Sequence, residues 1–209
     1  MTTVGLFANE HRNSTKNLAP RMLLACIFFL SVHITAFGEQ SPNQAAAVQN
    51  AITLQKAADA GNPTAMYNLG FLYAHNLGVA QDYGKAREWY QKAADAGSPT
   101  AMDNLGGLYA HGQGVAQDYG KAREWYQKAA DAGNPAAMNF LGALYAHGQG
   151  VAQDYGKARE WFQKAADAGN TTAMDNLGGL YEGGKGVAQD HAKALEWFQK
   201  SFDARQHLR

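Results

Sequence analysis

Apolar residues recur at three- and four-residue steps along most of this chain, and the pattern restarts every 36 residues. Within 63–75, Met66, Leu69, Leu72 and Tyr73 share one face of a 3.6-residue period, which predicts an amphipathic helix. Within 83–96, Ala86, Trp89, Tyr90 and Ala93 do the same. Glu88 and Lys92 stand on the wet side of that second helix, in the order that favours an i,i+4 pair. Trp89, Trp125, Trp161 and Trp197 mark four returns of this helix A–helix B pair, giving units 62–97, 98–133, 134–169 and 170–205. The second and third units differ at six of 36 positions. A residue common to all four is therefore weak evidence of function, because it was copied with its unit.

Polar punctuation sets the expected helix limits. Asn62-Pro63, Ser98-Pro99 and Asn134-Pro135 each supply a capping side chain and a proline at the first helical position, where an N–H would go unpaired. Asn170-Thr171 keeps the cap and loses the proline. Helix A is expected to end in Gly78 and its equivalents, inside the turn Gly112-Gln113-Gly114-Val115 of the second unit. Asp82 is the expected cap of helix B, and Ala96-Gly97 its stop. Gly70, Gly106, Gly142 and Gly178 fall in the middle of helix A, where glycine costs ~1 kcal/mol against alanine. The expected reason is close approach of a neighbouring backbone opposite helix B alanines such as Ala86, with buried Trp and Tyr rings filling the space where the helices diverge.

No unit buries its apolar faces alone, so stacking on neighbours must supply the core. The ends depart as a stack requires. Residues 39–61 read as a half repeat, a capping helix over 44–60 with Thr53 where tryptophan would stand. At the other end Ser201-Phe202-Asp203-Ala204-Arg205 replaces the Ala-Ala-Asp-Ala-Gly stop, so the last helix is expected to run on toward a short tail at 206–209. The predicted fold is all-α: a right-handed α/α superhelical solenoid of four 36-residue two-helix repeats behind an N-terminal capping helix, nine helices in all.

The first 38 residues differ in kind. Arg12, Lys16 and Arg21 precede an apolar run over 22–37, and Ala36-Phe37-Gly38 offers small residues at the −3 and −1 positions of a signal-peptidase site. This reads as a cleaved export signal over 1–38, placing the mature chain in the periplasm or outside the cell. The alternative is an inner-membrane anchor through 22–37, the only route by which the sequence suggests a membrane. Cys26 precedes most of the apolar run instead of following it, which argues against lipidation. Without Arg12, Lys16, Arg21 and Glu10 the remainder holds 15 basic and 17 acidic residues and shows no basic stripe, so nucleic acid is not an expected partner.

The unit resembles the Sel-one-like repeat (SLR), a relative of the tetratricopeptide repeat. The second unit carries the resemblance through Ala101-Met102, Leu105-Gly106, Leu108-Tyr109, Gly112, Gly114-Val115, Asp118, Lys121-Ala122, Trp125, Ala129-Ala130 and Gly133. The first unit departs at Asn76-Leu77 and the fourth at Ser201-Phe202. The resemblance implies a superhelix used as a protein-interaction scaffold, and it is closest to exported bacterial members. Certain cysteine-rich secreted members have been connected with β-lactam binding. They carry regular cysteine pairs that this chain lacks, and a cell-wall or β-lactam-related activity stands as the alternative function.

Catalytic chemistry finds little support. The sequence has no Ser-x-x-Lys, His-Glu-x-x-His, P-loop or Gly-x-Ser-x-Gly, and no cofactor is expected. His75, His111 and His147 recur one repeat apart, and ~10 Å between equivalent helices is too far for shared metal ligation. The informative positions are those where near-identical copies differ. On helix A these are Tyr67, Asp103, Asn139 and Asp175; Asn68, Asn104, Phe140 and Asn176; and Phe71, Gly107, Ala143 and Gly179. They share the face that lines the concave groove in SLR and tetratricopeptide stacks. The expected partner is a protein or peptide, with Tyr67, Phe71 and Phe140 as apolar anchors, and Asp103, Asp175 and Glu182 lending acidic character.

Overall fold

The computed structural model describes residues 42–207; the signal-peptide and anchor readings at 1–38, Cys26 and the last two residues of the tail lie outside them. Residues 46–209 form one compact unit. Among the described residues there are nine α-helices and no strand. They are α1 (Pro42–Asp59), α2 (Pro63–His75), α3 (Tyr83–Asp95), α4 (Pro99–His111), α5 (Tyr119–Asp131), α6 (Pro135–His147), α7 (Tyr155–Asp167), α8 (Thr171–Gly183) and α9 (His191–Gln206). Consecutive helices pack pairwise into a solenoid, and the core runs as three clusters from α1 to α9 instead of collecting at one centre.

The caps form as expected. The side chains of Asn62, Ser98, Asn134 and Asn170 accept the backbone N–H at the third helical position of α2, α4, α6 and α8. Asp82, Asp118, Asp154 and Asp190 do the same for α3, α5, α7 and α9. Helix A ends earlier than expected. The first glycine of the turn is the left-handed cap at Gly112, Gly148 and Gly184, and Asn76 takes that conformation in the first copy, with φ 57°. Asparagine tolerates it because its short polar side chain fits the left-handed region.

The second turn glycine has another duty. A Cβ on Gly114 would stand 2.6 Å from Cβ of Tyr83, at the start of the preceding helix B. Gly150 and Gly186 meet the backbone of Tyr119 and Tyr155 at 2.7 Å, and Gly78 meets that of Ala47 at 2.6 Å. Each turn is therefore seated on the previous helix B. Gln113 and Gln149 tighten the seat by donating to the Tyr83 and Tyr119 hydroxyls at 3.2 and 3.1 Å. In the fourth copy Lys185 takes the place of that glutamine and lies over the Tyr155 ring.

The mid-helix glycines require a correction. What lies against Gly70, Gly106, Gly142 and Gly178 is chiefly the ring of Tyr90, Tyr126, Phe162 or Phe198, and an added Cβ would meet ring carbons at 2.5–2.7 Å. The Ala86 carbonyl comes third at Gly70, at 3.2 Å. Of the tryptophan and tyrosine rings expected as buried fillers, Tyr90 and Tyr126 are buried as expected and the tryptophans are shallower. Trp89 is buried, while Trp125, Trp161 and Trp197 are half-buried. Each lies under the lysine three residues on, from Lys92 over Trp89 at 3.8 Å to Lys164 over Trp161 at 4.3 Å. Lys92 thus serves Trp89, the i,i+3 neighbour, and the described residues hold no Glu88–Lys92 ion pair. An ammonium over an indole face gains a quadrupole attraction that an exposed ion pair in water scarcely matches.

Two adjacent glycines of α4 test the ring-on-glycine packing with opposite signs. Gly106→Ala drives a methyl into Tyr126 and should destabilise the chain by about 1–3 kcal/mol, despite better helix propensity. Gly107→Ala meets only the Tyr126 hydroxyl at 3.9 Å and should stabilise by up to ~1 kcal/mol. Urea midpoints of the two variants measure this, and a Gly106→Ala midpoint at or above the parent's would remove the packing argument.

Candidate partner-binding face

The varying positions on α2, α4, α6 and α8 meet unequal fates. On α2 the Tyr67 ring is half-buried, 5.8 Å from Tyr90 and 6.3 Å from Phe71. Phe71 is 36% exposed, with its ring 4.2 Å from that of His75. On α6 Phe140 is 39% exposed and stacks on Tyr126 of α5 at 5.0 Å and 20°. The three expected anchors therefore form two aromatic patches, and no ring contact among the described residues joins them.

The polar members are largely engaged within the chain. Asn139 is buried and accepts a hydrogen bond from Nδ2 of Asn176 at 2.9 Å, so these two amides link α6 to α8. Asn104 donates back to the Thr100 carbonyl of its own helix at 2.9 Å. Asn68 is half-buried. Asp175 is ion-paired with Arg205 of α9. Glu182 pairs with Nδ1 of His191 at 3.0 Å, and that hydrogen bond, followed by the carboxylate's charge, raises the His191 pKa. The expected acidic character thus narrows to Asp103, because the other two carboxylates have partners within the chain, Arg205 and the His191 imidazole.

Asp103 is the electrostatic exception. Its Oδ1 is buried without a hydrogen-bond partner, and burial pushes the carboxyl from 3.8 up to about 6. Tyr126 feels the same site: burial first, then the Asp103 charge, raises its phenol. Tyr90 is raised likewise, by burial and then by Tyr67, and its buried hydroxyl also lacks a partner. Tyr90 and Tyr126 stand on the apolar face of helix B that the period predicts, but their contact with the helix A side was not legible in the sequence. They recur one place after each tryptophan, but period alone does not tell which of two adjacent rings reaches the helix A side.

Between the starts of α2 and α4 lies a shallow depression of about 360 Å³, lined by Pro63, Thr64, Tyr67, Ala96, Gly97, Ser98 and Thr100. His75, His111 and His147 are exposed, and Nδ1 of His111 lies 2.9 Å from the Gly107 carbonyl, to which it donates when it carries the proton. No three potential metal ligands cluster among the described residues. No described helix is long and apolar enough to cross a membrane.

Stacked two-helix repeats, each packed on the next, define an α-solenoid. Residues 63–98, 99–134, 135–170 and 171–204 each match the family model described as Sel1 repeat, and the chain belongs to that family. It is similar to the protective antigen c5321 of uropathogenic Escherichia coli strains, which displays an SLR fold, at 36% identity and a TM-score of 0.70 over 75% of this chain and 33% of that one. The chain thus spans about a third of that antigen's length. A Sel1 repeat protein from Oxalobacter formigenes matches at 32% identity and a TM-score of 0.70, over 90% of this chain and 76% of that one. An immunity protein from Pseudomonas aeruginosa matches at 26% and 0.53, over 81% and 69%. No protein of curated function matches the chain in sequence. Sel1-repeat proteins are generally protein-interaction scaffolds, and the fold is typically non-catalytic.

The uncompensated carboxyl has a thermodynamic signature. Because its folded pKa is raised, the folded chain holds the Asp103 proton more tightly than the unfolded chain does between about pH 4 and pH 6, and stability falls as pH rises through that window. Asp103→Asn, which installs the residue of the third copy at 139, should raise stability by about 1–2 kcal/mol at neutral pH and change little at pH 4. Urea titrations at the two pH values measure it, and an equal effect at both would deny Asp103 the strain.

Proposed function

We propose that the chain binds a protein or peptide partner along the varied face of α2, α4, α6 and α8. The observation that carries this reading is Phe71 and Phe140, exposed aromatics at positions where other copies hold Gly, Ala or Asn. Near-identical copies have no folding need for a ring there, and burying one against a partner is the kind of contact that dominates interfaces. Tyr67, on the rim of the depression beside Ser98 and Thr100, is the third anchor. Asn68 and Asn104 are the polar contacts still facing that side, and Asp103 is its carboxylate without an ion pair among the described residues. Asn139, Asn176, Asp175 and Glu182 serve the reading indirectly, by holding neighbouring helices in register. The reading also takes 1–38 as an export signal, 39–61 as an N-terminal cap and 206–209 as a tail, so the binding face works outside the cytoplasm.

Affinity capture from envelope and host-cell extracts tests this reading, comparing the parent with a Tyr67→Ala, Phe71→Ala, Phe140→Ala variant of unchanged circular dichroism. A protein retained by the parent should be lost from the variant, with affinity weakened about a hundredfold or more. Equal retention by both would move the contact off this face.

A further inference from the structure

The last helix carries an apolar face that its counterparts lack. Leu195 and Phe202 are 68% and 55% exposed, and Phe198 lies between them on the same side of α9. In the three earlier helices B the place of Leu195 is held by Arg87, Arg123 and Arg159, and that of Phe202 by Ala94, Ala130 and Ala166. Among the described residues no helix A follows α9, and a helix face left uncovered at the end of a stack is expected to be more polar. Here it has become less polar.

The replacements also indicate what covers the face. Ala94, Ala130 and Ala166 are buried, each in one cluster with the alanine and leucine of the next helix A, such as Ala173 and Leu177. A phenylalanine in that seat leaves no room for another helix A in the same register. The flanking cations are already engaged: Lys193 with Asp190, His191 with Glu182, Lys200 with Trp197 and Arg205 with Asp175. A strongly acidic partner therefore finds little to pair with. A head-to-tail contact would need an apolar patch on α1, and none of the exposed large hydrophobics lies there. What remains is a patch that complements itself. Leu195 and Phe202 stand two helical turns apart around Phe198, so an antiparallel crossing lays Leu195 of each copy on Phe202 of the other.

We propose that α9 is a two-fold docking surface on which a second copy of this chain sits through Leu195, Phe198 and Phe202. The dimer presents two helix A faces to one partner, and it stands independently of what those faces bind.

Sedimentation velocity on the whole chain should give twice the 22.5 kDa of one copy at micromolar concentration. Leu195→Arg with Phe202→Ala restores the residues of the other copies, so the fold should persist by circular dichroism while association weakens about a hundredfold or more. A second variant reports the geometry. With Cys26→Ser, Gln199→Cys should cross-link to itself on oxidation because it lies near the two-fold axis, whereas Gln49→Cys on α1 should not. A monomeric parent would overturn the proposal and leave the face to a different protein. A dimer that survives the double substitution, or one that cross-links through Gln49→Cys and not Gln199→Cys, would overturn it too.

Discussion

An aromatic ring packed against a glycine holds each helix pair together. Gly70 with Tyr90, Gly106 with Tyr126, Gly142 with Phe162 and Gly178 with Phe198 are one contact made four times. The glycine gives up helix propensity, and the ring recovers it by packing where any Cβ would stand. The ring is not buried by its own pair alone. Tyr90, Tyr126 and Phe162 are 1–3% exposed, whereas Phe198, with the same glycine but no following helix A among the described residues, is 38% exposed. Each pair therefore depends on the next for the burial of its own central ring, the nearest-neighbour coupling that makes a solenoid's stability one-dimensional.

A second kind of glycine fixes the offset between pairs. Gly114, Gly150 and Gly186 combine a left-handed φ of 67–68° with contact against the first residue of the preceding helix B. A side chain there would strain the turn and lift it from its seat together. The tyrosine at that seat then receives Gln113 or Gln149 from the next turn, or the Lys185 ammonium over its face. The first copy sits on α1 at Ala47, and Leu77, standing where the later glutamines stand, is exposed. The two glycine contacts divide the work: the mid-helix one sets the distance within a pair, the turn one the step to the next.

The helix pairs, their caps and their period were legible in the sequence because they are local: Asn62, Ser98, Asn134 and Asp82 need only their own next turn. Depth was not. Trp125 and Tyr126 are adjacent, and periodicity puts both on the apolar side, yet the tyrosine is buried and the tryptophan half-buried under Lys128. The reason is that a helix B touches two helices A, and only the ring aimed between them loses its water on both sides. The helix A face was legible as a face but not as a set of free groups. Asn139 and Asn176, 37 residues apart, satisfy each other, and no single-unit pattern reveals a bond between units.

Departures between near-identical copies can now be sorted by whether the chain itself answers them. In the fourth copy Arg205 replaces a glycine and meets Asp175; His191 replaces a tyrosine and meets Glu182, which replaces an alanine. Ser201 replaces an alanine and donates to the Thr171 carbonyl at 3.0 Å. Each of these changes has its partner in the fold, so none of them needs an outside ligand. Phe71, Phe140, Leu195 and Phe202 are answered only in part or not at all: Phe71 and Phe140 touch His75 and Tyr126, yet all four still add apolar surface to water at positions where sister copies hold smaller or polar residues. Exposed apolar area is unfavourable by about 25 cal/mol per Å² and contributes nothing to a chain already closed by its glycine contacts. The unanswered departures fall on two faces, helix A and α9, and those are the places where something other than this copy must supply the burial.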